Sequence, residues 1–86
     1  MKYFLYVLYS PNHLRHYIGI TDDVPRRIHE HNRGKVSSTK PYRPYILLGL
    51  EEYSDKKLAR KREIFLKKTA KARKELFESL HNGAIV

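Results

Sequence analysis

Lys2-Tyr3-Phe4-Leu5-Tyr6-Val7-Leu8-Tyr9 carries no helical period. Its aromatic and β-branched residues put Phe4, Tyr6 and Leu8 on one face of an extended strand and Tyr3, Leu5, Val7 and Tyr9 on the other. Both faces are apolar enough to be covered. Ser10-Pro11-Asn12 supplies turn chemistry, and His16 to Ile20 follows at hairpin distance, so the two segments are expected to pair antiparallel around an irregular loop.

Working outward, Asp22 or Asp23 can cap a helix, Pro25 suits its first turn and Gly34 can close it in a left-handed conformation, predicting a helix over Val24 to Arg33. Lys35 to Pro44 is polar with two prolines and reads as a mobile connection. Tyr45 to Glu51 is a third strand, apolar on both faces. From Asp55 the pattern turns helical, with Leu58, Ala59, Phe65 and Leu66 on one stripe and Phe65 and Leu66 assigned to the core. One long helix or two with a bend at Thr69 both fit, and a helix from about Ala70 to Leu80 is stopped by Asn82-Gly83, leaving 81–86 as a flexible tail. The order strand–strand–helix–strand–helix–helix predicts an α+β fold, a small three-stranded antiparallel sheet flanked by helices, in one domain over 1–86.

Composition narrows the function. Eighty-six residues hold one small core, which excludes a two-domain or large-cleft enzyme. No cysteine is present, so disulfides, thiolate zinc sites and cysteine nucleophiles are excluded, and no segment approaches the roughly 20 apolar residues that span a bilayer. The expected location is cytoplasmic. Eighteen Lys and Arg against nine Asp and Glu give a net charge of +9, which favours a polyanionic partner, nucleic acid or an acidic membrane surface.

Three features break their own local pattern. Val24, Arg27, Ile28 and His31 have the spacing of a buried helical stripe, yet two of the four are polar. Such an arginine either pairs with a carboxylate or lines a cleft. Ten of the 18 basic residues lie between Lys56 and Lys74, with Glu63 the one acid among them. Glu63 can simply pair with Lys67 four residues on, or it can hold a divalent ion beside a phosphate-binding face. Finally, Tyr17 is followed by Ile18-Gly19, and a glycine inside a strand marks close approach of a ligand or another backbone. Most strand tyrosines pack, but Tyr6 and Tyr17 on adjacent strands could together hold a water. A zinc site among His13, His16, His29 and His31 fits poorly, because His29 and His31 diverge on a helix. Walker-type phosphate loops and paired catalytic carboxylates are absent.

Taken together these residues resemble the GIY-YIG nuclease family. Phe4-Leu5-Tyr6 matches the first half-motif at its tyrosine, and Tyr17-Ile18-Gly19 matches the second in full, with Gly19 as a structural motif position. The family's arginine falls ten residues after the second tyrosine, at Arg27, and a histidine four residues later is His31. Its metal-binding glutamate, preceded by basic residues in the later helix, is Glu63 in Ala59-Arg60-Lys61-Arg62-Glu63. The resemblance covers essentially the whole chain and is nearest to the small stand-alone bacterial, UPF0213-like members. The pattern is departed from in two respects: the first half-motif lacks its glycine and isoleucine, and Ile20 stands where the excision-repair subunit has a lysine, so a cation there must come from elsewhere, such as Arg27 or Lys35.

The resemblance implies metal-assisted phosphodiester hydrolysis. Glu63 would bind one Mg²⁺ or Mn²⁺, Tyr17 would orient or deprotonate water with Tyr6 supporting it through a shared hydrogen bond, and Arg27 would clamp the phosphate. His31 would shuttle a proton or make a second phosphate contact. Lys35, Lys56, Lys57, Arg60, Lys61, Lys67, Lys68 and Lys71 would grip a nucleic-acid backbone, DNA in preference to RNA, with specificity left to substrate shape or a protein partner, and no membrane involved. The alternative is a non-catalytic nucleic-acid-binding module that retains the scaffold. A nuclease needs Tyr6, Tyr17, Arg27 and Glu63 to converge on one open concavity, whereas a Glu63 capped by Lys67 and turned away from Tyr17 would favour the module.

Overall fold

In the computed structural model, which describes residues 1–83, the first strand lies between two others and a core cluster covers each of its faces. Strand β1 (Tyr3–Ser10) pairs antiparallel with β2 (Arg15–Thr21) on one side and β3 (Ile46–Tyr53) on the other, giving the order β2-β1-β3. Leu5, Tyr6, Val7 and Leu8 are all buried. Leu5 and Val7 meet Ile18, Leu66 and Leu80 on one face of the sheet, while Tyr6 and Leu8 meet Tyr45, with Tyr17, Ile28 and Tyr42 packed alongside, on the other. In the β1–β2 connection Leu14 takes the left-handed conformation, at φ 53°.

Helix α1 (Val24–Asn32) begins where Asp23 Oδ1 accepts the Arg26 N–H at 3.1 Å. Of the two candidate caps, Asp23 is therefore the one used. The helix stops one residue short of expectation, and Gly34 follows at φ +78°. The connection 35–44 is not the loose segment its composition predicts. Asn32 holds the Tyr45 backbone twice, donating from Nδ2 to its carbonyl at 3.0 Å and accepting its N–H at Oδ1 at 2.7 Å. Ser10 Oγ donates to the Tyr42 carbonyl at 2.6 Å, and a 3₁₀ turn over Lys40–Tyr42 packs the segment back on the sheet.

Helices α2 (Lys56–Lys68) and α3 (Ala70–His81) are separate, broken at Thr69 with extended φ −112° and ψ 90°. Arg73 Nη1 donates to the carbonyls of Leu66 and Lys67 at 3.1 and 3.0 Å, satisfying the open end of α2. His81 still belongs to α3, so the tail expected over 81–86 does not begin there, and 84–86 lie outside the described residues.

The expected stripe of α2 needs correcting. The inward residues are Ala59, Glu63 and Leu66, whereas Leu58 and Phe65 are 44% and 47% exposed. Arg62 fixes this phase from the flank: its Nε and Nη2 donate to the two Glu51 oxygens of β3 at 3.1 and 3.2 Å. Strand β3 is likewise covered less than its composition suggests, because it is a sheet edge, and Ile46, Leu47 and Leu50 remain exposed.

The corrected phase predicts unequal costs for two leucine truncations. Leu66→Ala should destabilise by about 2–5 kcal/mol and Leu58→Ala by under about 1 kcal/mol, read from urea unfolding midpoints. Equal costs would restore the original stripe.

Candidate nucleic-acid-processing site

The register of β1 against β2 sets Tyr6 opposite Gly19, and the phenol of Tyr6 lies across that glycine. A Cβ at position 19 would run into Tyr6 Oη and ring carbon Cζ, so the close approach that the strand glycine marks is made by the neighbouring tyrosine. Laid flat in this way, Tyr6 Oη reaches α1, where His31 Nε2 lies 2.9 Å away and Arg27 Nε donates to it at 3.4 Å.

The proton order in this cluster follows from its ends. Thr39 Oγ1 donates to the Val36 carbonyl at 3.2 Å, so toward His31 Nδ1, 2.8 Å away, it accepts. His31 therefore carries its proton on Nδ1, and Nε2 accepts from the Tyr6 hydroxyl. Burial holds His31 well below its usual value, at about 4, with the Arg27 charge acting in the same direction and Glu30 opposing. Burial likewise pushes the Tyr6 hydroxyl up to about 12 despite the Arg27 hydrogen bond. Tyr6 is 1% and His31 0% exposed. The shared hydrogen bond expected between Tyr6 and Tyr17 is not formed: the rings stand 6.2 Å apart, and the Tyr6 proton goes to His31 instead. Nor does His31 face solvent as a phosphate contact would, since both its ring nitrogens are engaged.

Arg27 Nη1 also donates to Glu30 Oε1 at 3.0 Å, so the carboxylate pairing is present together with the tyrosine contact. The arginine sits at the cluster's border, a third exposed. Tyr17 is half-buried with its ring 4.8 Å from that of His31. From the α2 side, Lys67 Nζ lies 5.7 Å from the Tyr17 ring centroid and donates to Glu63 Oε2 at 3.1 Å, while Arg60 Nη1 donates to Glu63 Oε1 at 3.0 Å. Glu63 is thus capped by Lys67, but it is not turned away: the capping ammonium spans the gap to Tyr17, and the carboxylate's charge reaches Tyr6, helping to raise its hydroxyl. The cation placed over the Tyr17 ring is the Lys67 ammonium, and Ile20 packs into the opposite core.

The four residues are linked through side-chain contacts, Arg27 by way of Tyr6 and Glu63 by way of Lys67. A cavity of about 500 Å³ is lined by Tyr17 and Lys67, together with Arg15 and Arg73, but not by Tyr6, Arg27 or Glu63. As a metal ligand, Glu63 offers hard carboxylate oxygen, the donor that Mg²⁺ and Mn²⁺ take. Among the described residues no group of three or more His, Cys, Asp or Glu side chains is placed to hold an ion, so the fit is that of a one-carboxylate site completed by water and phosphate. Arg60 and Lys67 occupy its oxygens, each from an exposed side chain.

The basic residues Lys35, Lys56, Lys57, Arg60, Lys61, Lys67, Lys68 and Lys71 are all exposed. At about 100° per residue, Lys56, Arg60 and Lys67 share the sector of Glu63, whereas Lys57, Lys61 and Lys68 point away from Ala59 and Leu66 and so away from the site. The sequence reading missed Thr39, which orients His31, and Glu30, which orients Arg27; Thr39 sits in the segment taken as mobile, and its one sequence signal is a small hydroxyl residue amid prolines. It also gave no structural task to Asn32, whose amide clamps that segment.

The chain matches a family model described as the GIY-YIG catalytic domain over residues 2–76. It is 39% identical to the UPF0213 protein YazA of Bacillus subtilis (strain 168) over 62 residues, 71% of this chain and 63% of that one. To a UPF0213 protein of Lactiplantibacillus plantarum it is 34% identical over 87 residues, 98% of this chain and 85% of the relative. The match spans about three fifths of the length of the first two relatives, YazA and a UPF0213 protein of Vibrio campbellii, at 63% and 59%. Among solved structures, the solution NMR structure of the UPF0213 protein BH0048 from Bacillus halodurans aligns with TM-score 0.56 and 31% identity, covering 93% of this chain and 85% of that one.

The neutral buried His31 gives a pH prediction. The unfolded chain takes up its proton near 6.5 and the folded chain only near 4, so stability falls as pH is lowered through that window. Urea unfolding should show a loss of about 2 kcal/mol between about pH 7.5 and about pH 5, with most of that slope removed in His31→Gln. An unchanged slope in His31→Gln would place the titration elsewhere.

Proposed function

The chain belongs to the GIY-YIG family, a family of catalytic domains, and from that premise we propose a divalent-metal-dependent endonuclease that hydrolyses phosphodiester bonds in nucleic acid. The observation that carries the reading is Arg27, fixed between Tyr6 Oη and Glu30 beside Tyr17 while remaining a third exposed. A guanidinium has five N–H donors, and two are used here, so three remain to meet a phosphate in a fixed orientation. Tyr17, half-buried at the cavity, orients the attacking water. Glu63 holds the divalent ion, Mg²⁺ or Mn²⁺, once Arg60 and Lys67 release its oxygens. The ion supplies Lewis-acid stabilisation of the charge that develops on the phosphate and the leaving oxygen.

Tyr6 and His31 take a different role from that of a base or shuttle. Both are buried and hydrogen-bonded to one another, so they act as positioning residues that set Arg27 and the Tyr17 ring. Lys56, Arg60 and Lys67 meet the backbone nearest the scissile phosphate, and Lys35, Lys57, Lys61, Lys68 and Lys71 contribute at longer range. The substrate is DNA in preference to RNA, chosen by branched shape or by a protein partner, in repair or a related process in the cytoplasm. Among the described residues no helix is long and apolar enough to cross a membrane. Binding without cleavage is the second reading, and the doubly paired Glu63 favours it.

Nicking of branched, flapped and single-stranded substrates should require Mg²⁺ or Mn²⁺ and stop with chelator. Arg27→Ala and Tyr17→Phe should each lower the rate by about 10²-fold or more, and Glu63→Gln should bring it to background. Cleavage that survives Glu63→Gln in a pure preparation, or binding with no cleavage in any metal, decides for the module.

A further inference from the structure

Strand β2 is the other edge of the sheet, and its outer side is not bare. The 500 Å³ cavity that opens on Tyr17 shares His16, Arg73 and Phe77 with a second one of about 590 Å³, which continues to Lys74 and His81 near the end of α3. The two form one groove starting at the candidate catalytic tyrosine. Its charge is one-sided: Arg15, Lys67, Arg73 and Lys74 line it against the single carboxylate of Glu78. Lys74 makes no ion pair among the described residues.

The far half of the groove is aromatic. His16 stacks on Phe77 with ring centroids 4.0 Å apart and planes 5° from parallel, and Tyr9 meets His81 edge-on at 4.5 Å. The two imidazoles are joined at 2.8 Å between their Nε2 atoms, a bond that requires one of them to be neutral. Burial and the facing His81 both hold His16 below its usual value. The platform is therefore apolar in character, yet ringed by cations.

We propose that this groove binds an unpaired nucleic-acid strand leaving the cleavage site, with phosphates met by Arg15, Lys67 and Lys74 and a base seated against His16, Phe77 and His81. A duplex offers its phosphates but hides its base faces, whereas an unpaired strand offers both, and the groove has a surface for each. An acidic peptide would use the cations and leave the aromatic half unfilled. The inference rests on the nuclease reading only in taking Tyr17 as the end of the groove where the strand is cut.

The test is fluorescence anisotropy of a labelled duplex with and without a single-stranded arm, using Glu63→Gln protein in chelator so that cleavage plays no part. The arm should raise affinity by about tenfold or more through stacking of one or more bases. Lys74→Glu and His81→Ala, both exposed and outside the proposed catalytic set, should each remove most of that gain and leave the arm-less duplex bound as before. Lys74→Glu should also flatten the salt dependence of arm binding by about 0.7 in log–log slope. An arm that adds nothing, or a gain that persists in both variants, overturns the groove without touching the cleavage assay; loss of cleavage with the arm gain intact does the reverse.

Discussion

The buried hydrogen bond from Tyr6 Oη to His31 Nε2 ties the sheet to α1, and the candidate site depends on it. It forms because Gly19 on the neighbouring strand leaves room for the Tyr6 ring to lie across β2. It is directional because Thr39, committed to the Val36 carbonyl, can only accept from His31 Nδ1. Among the described residues each buried side-chain nitrogen and oxygen finds a partner, so removing one member leaves another unsatisfied in a dry environment, where the cost is highest. The end of that chain at Tyr6 Oη and the Glu30 carboxylate hold Arg27 from two directions.

Much of this was legible in the sequence wherever the signal is local. The two-faced pattern of residues 2–9 marked a strand covered on both sides, and Asp23, Pro25 and Gly34 bounded α1 by cap chemistry that acts within a few residues. Arg27 and His31 were visible as polar residues at core spacing. Thr39 was not, because its burial comes from a partner on another element. The segment around it is composed like a flexible loop, and it is Asn32, Ser10 and the sheet surface that pin it. The phase of α2 failed for a related reason. Two stripes one residue apart, Leu58 with Phe65 and Ala59 with Leu66, compete for the core, and the true one looks weaker because it contains a small alanine and a carboxylate. The bidentate Arg62–Glu51 bridge to β3 helps choose between them, and sequence periodicity cannot see it.

That choice of phase gives Glu63 its character. Had Leu58 and Phe65 faced inward, Glu63 would have been an exposed acid among lysines. Turned toward the sheet it is 6% exposed, and a carboxylate so placed must be compensated. Arg60 and Lys67 do so from exposed positions on the same helix, Arg60 from the turn before and Lys67 from the turn after. A buried anion neutralised by cations that themselves face solvent is an exchangeable arrangement. A polyanion drawn to the surface competes for those cations, and as they turn to its phosphates the carboxylate is left in need of another positive charge.

The site therefore has a dry half and a wet half, and the boundary runs between the two tyrosines. On the dry side Tyr6 and His31 carry protonation states far from exchange at neutral pH, the phenol held up at about 12 and the imidazole down at about 4. Groups so displaced are poor at passing protons near pH 7 and good at holding a geometry. On the wet side Tyr17, Arg27, Lys67 and the cations of the β2 edge meet solvent. Two tyrosines that look equivalent in a half-motif comparison are thus separated by burial alone. The division follows from register: Tyr6 lies on the central strand with a glycine beside it to lie across, and Tyr17 lies on an edge strand with open space beyond.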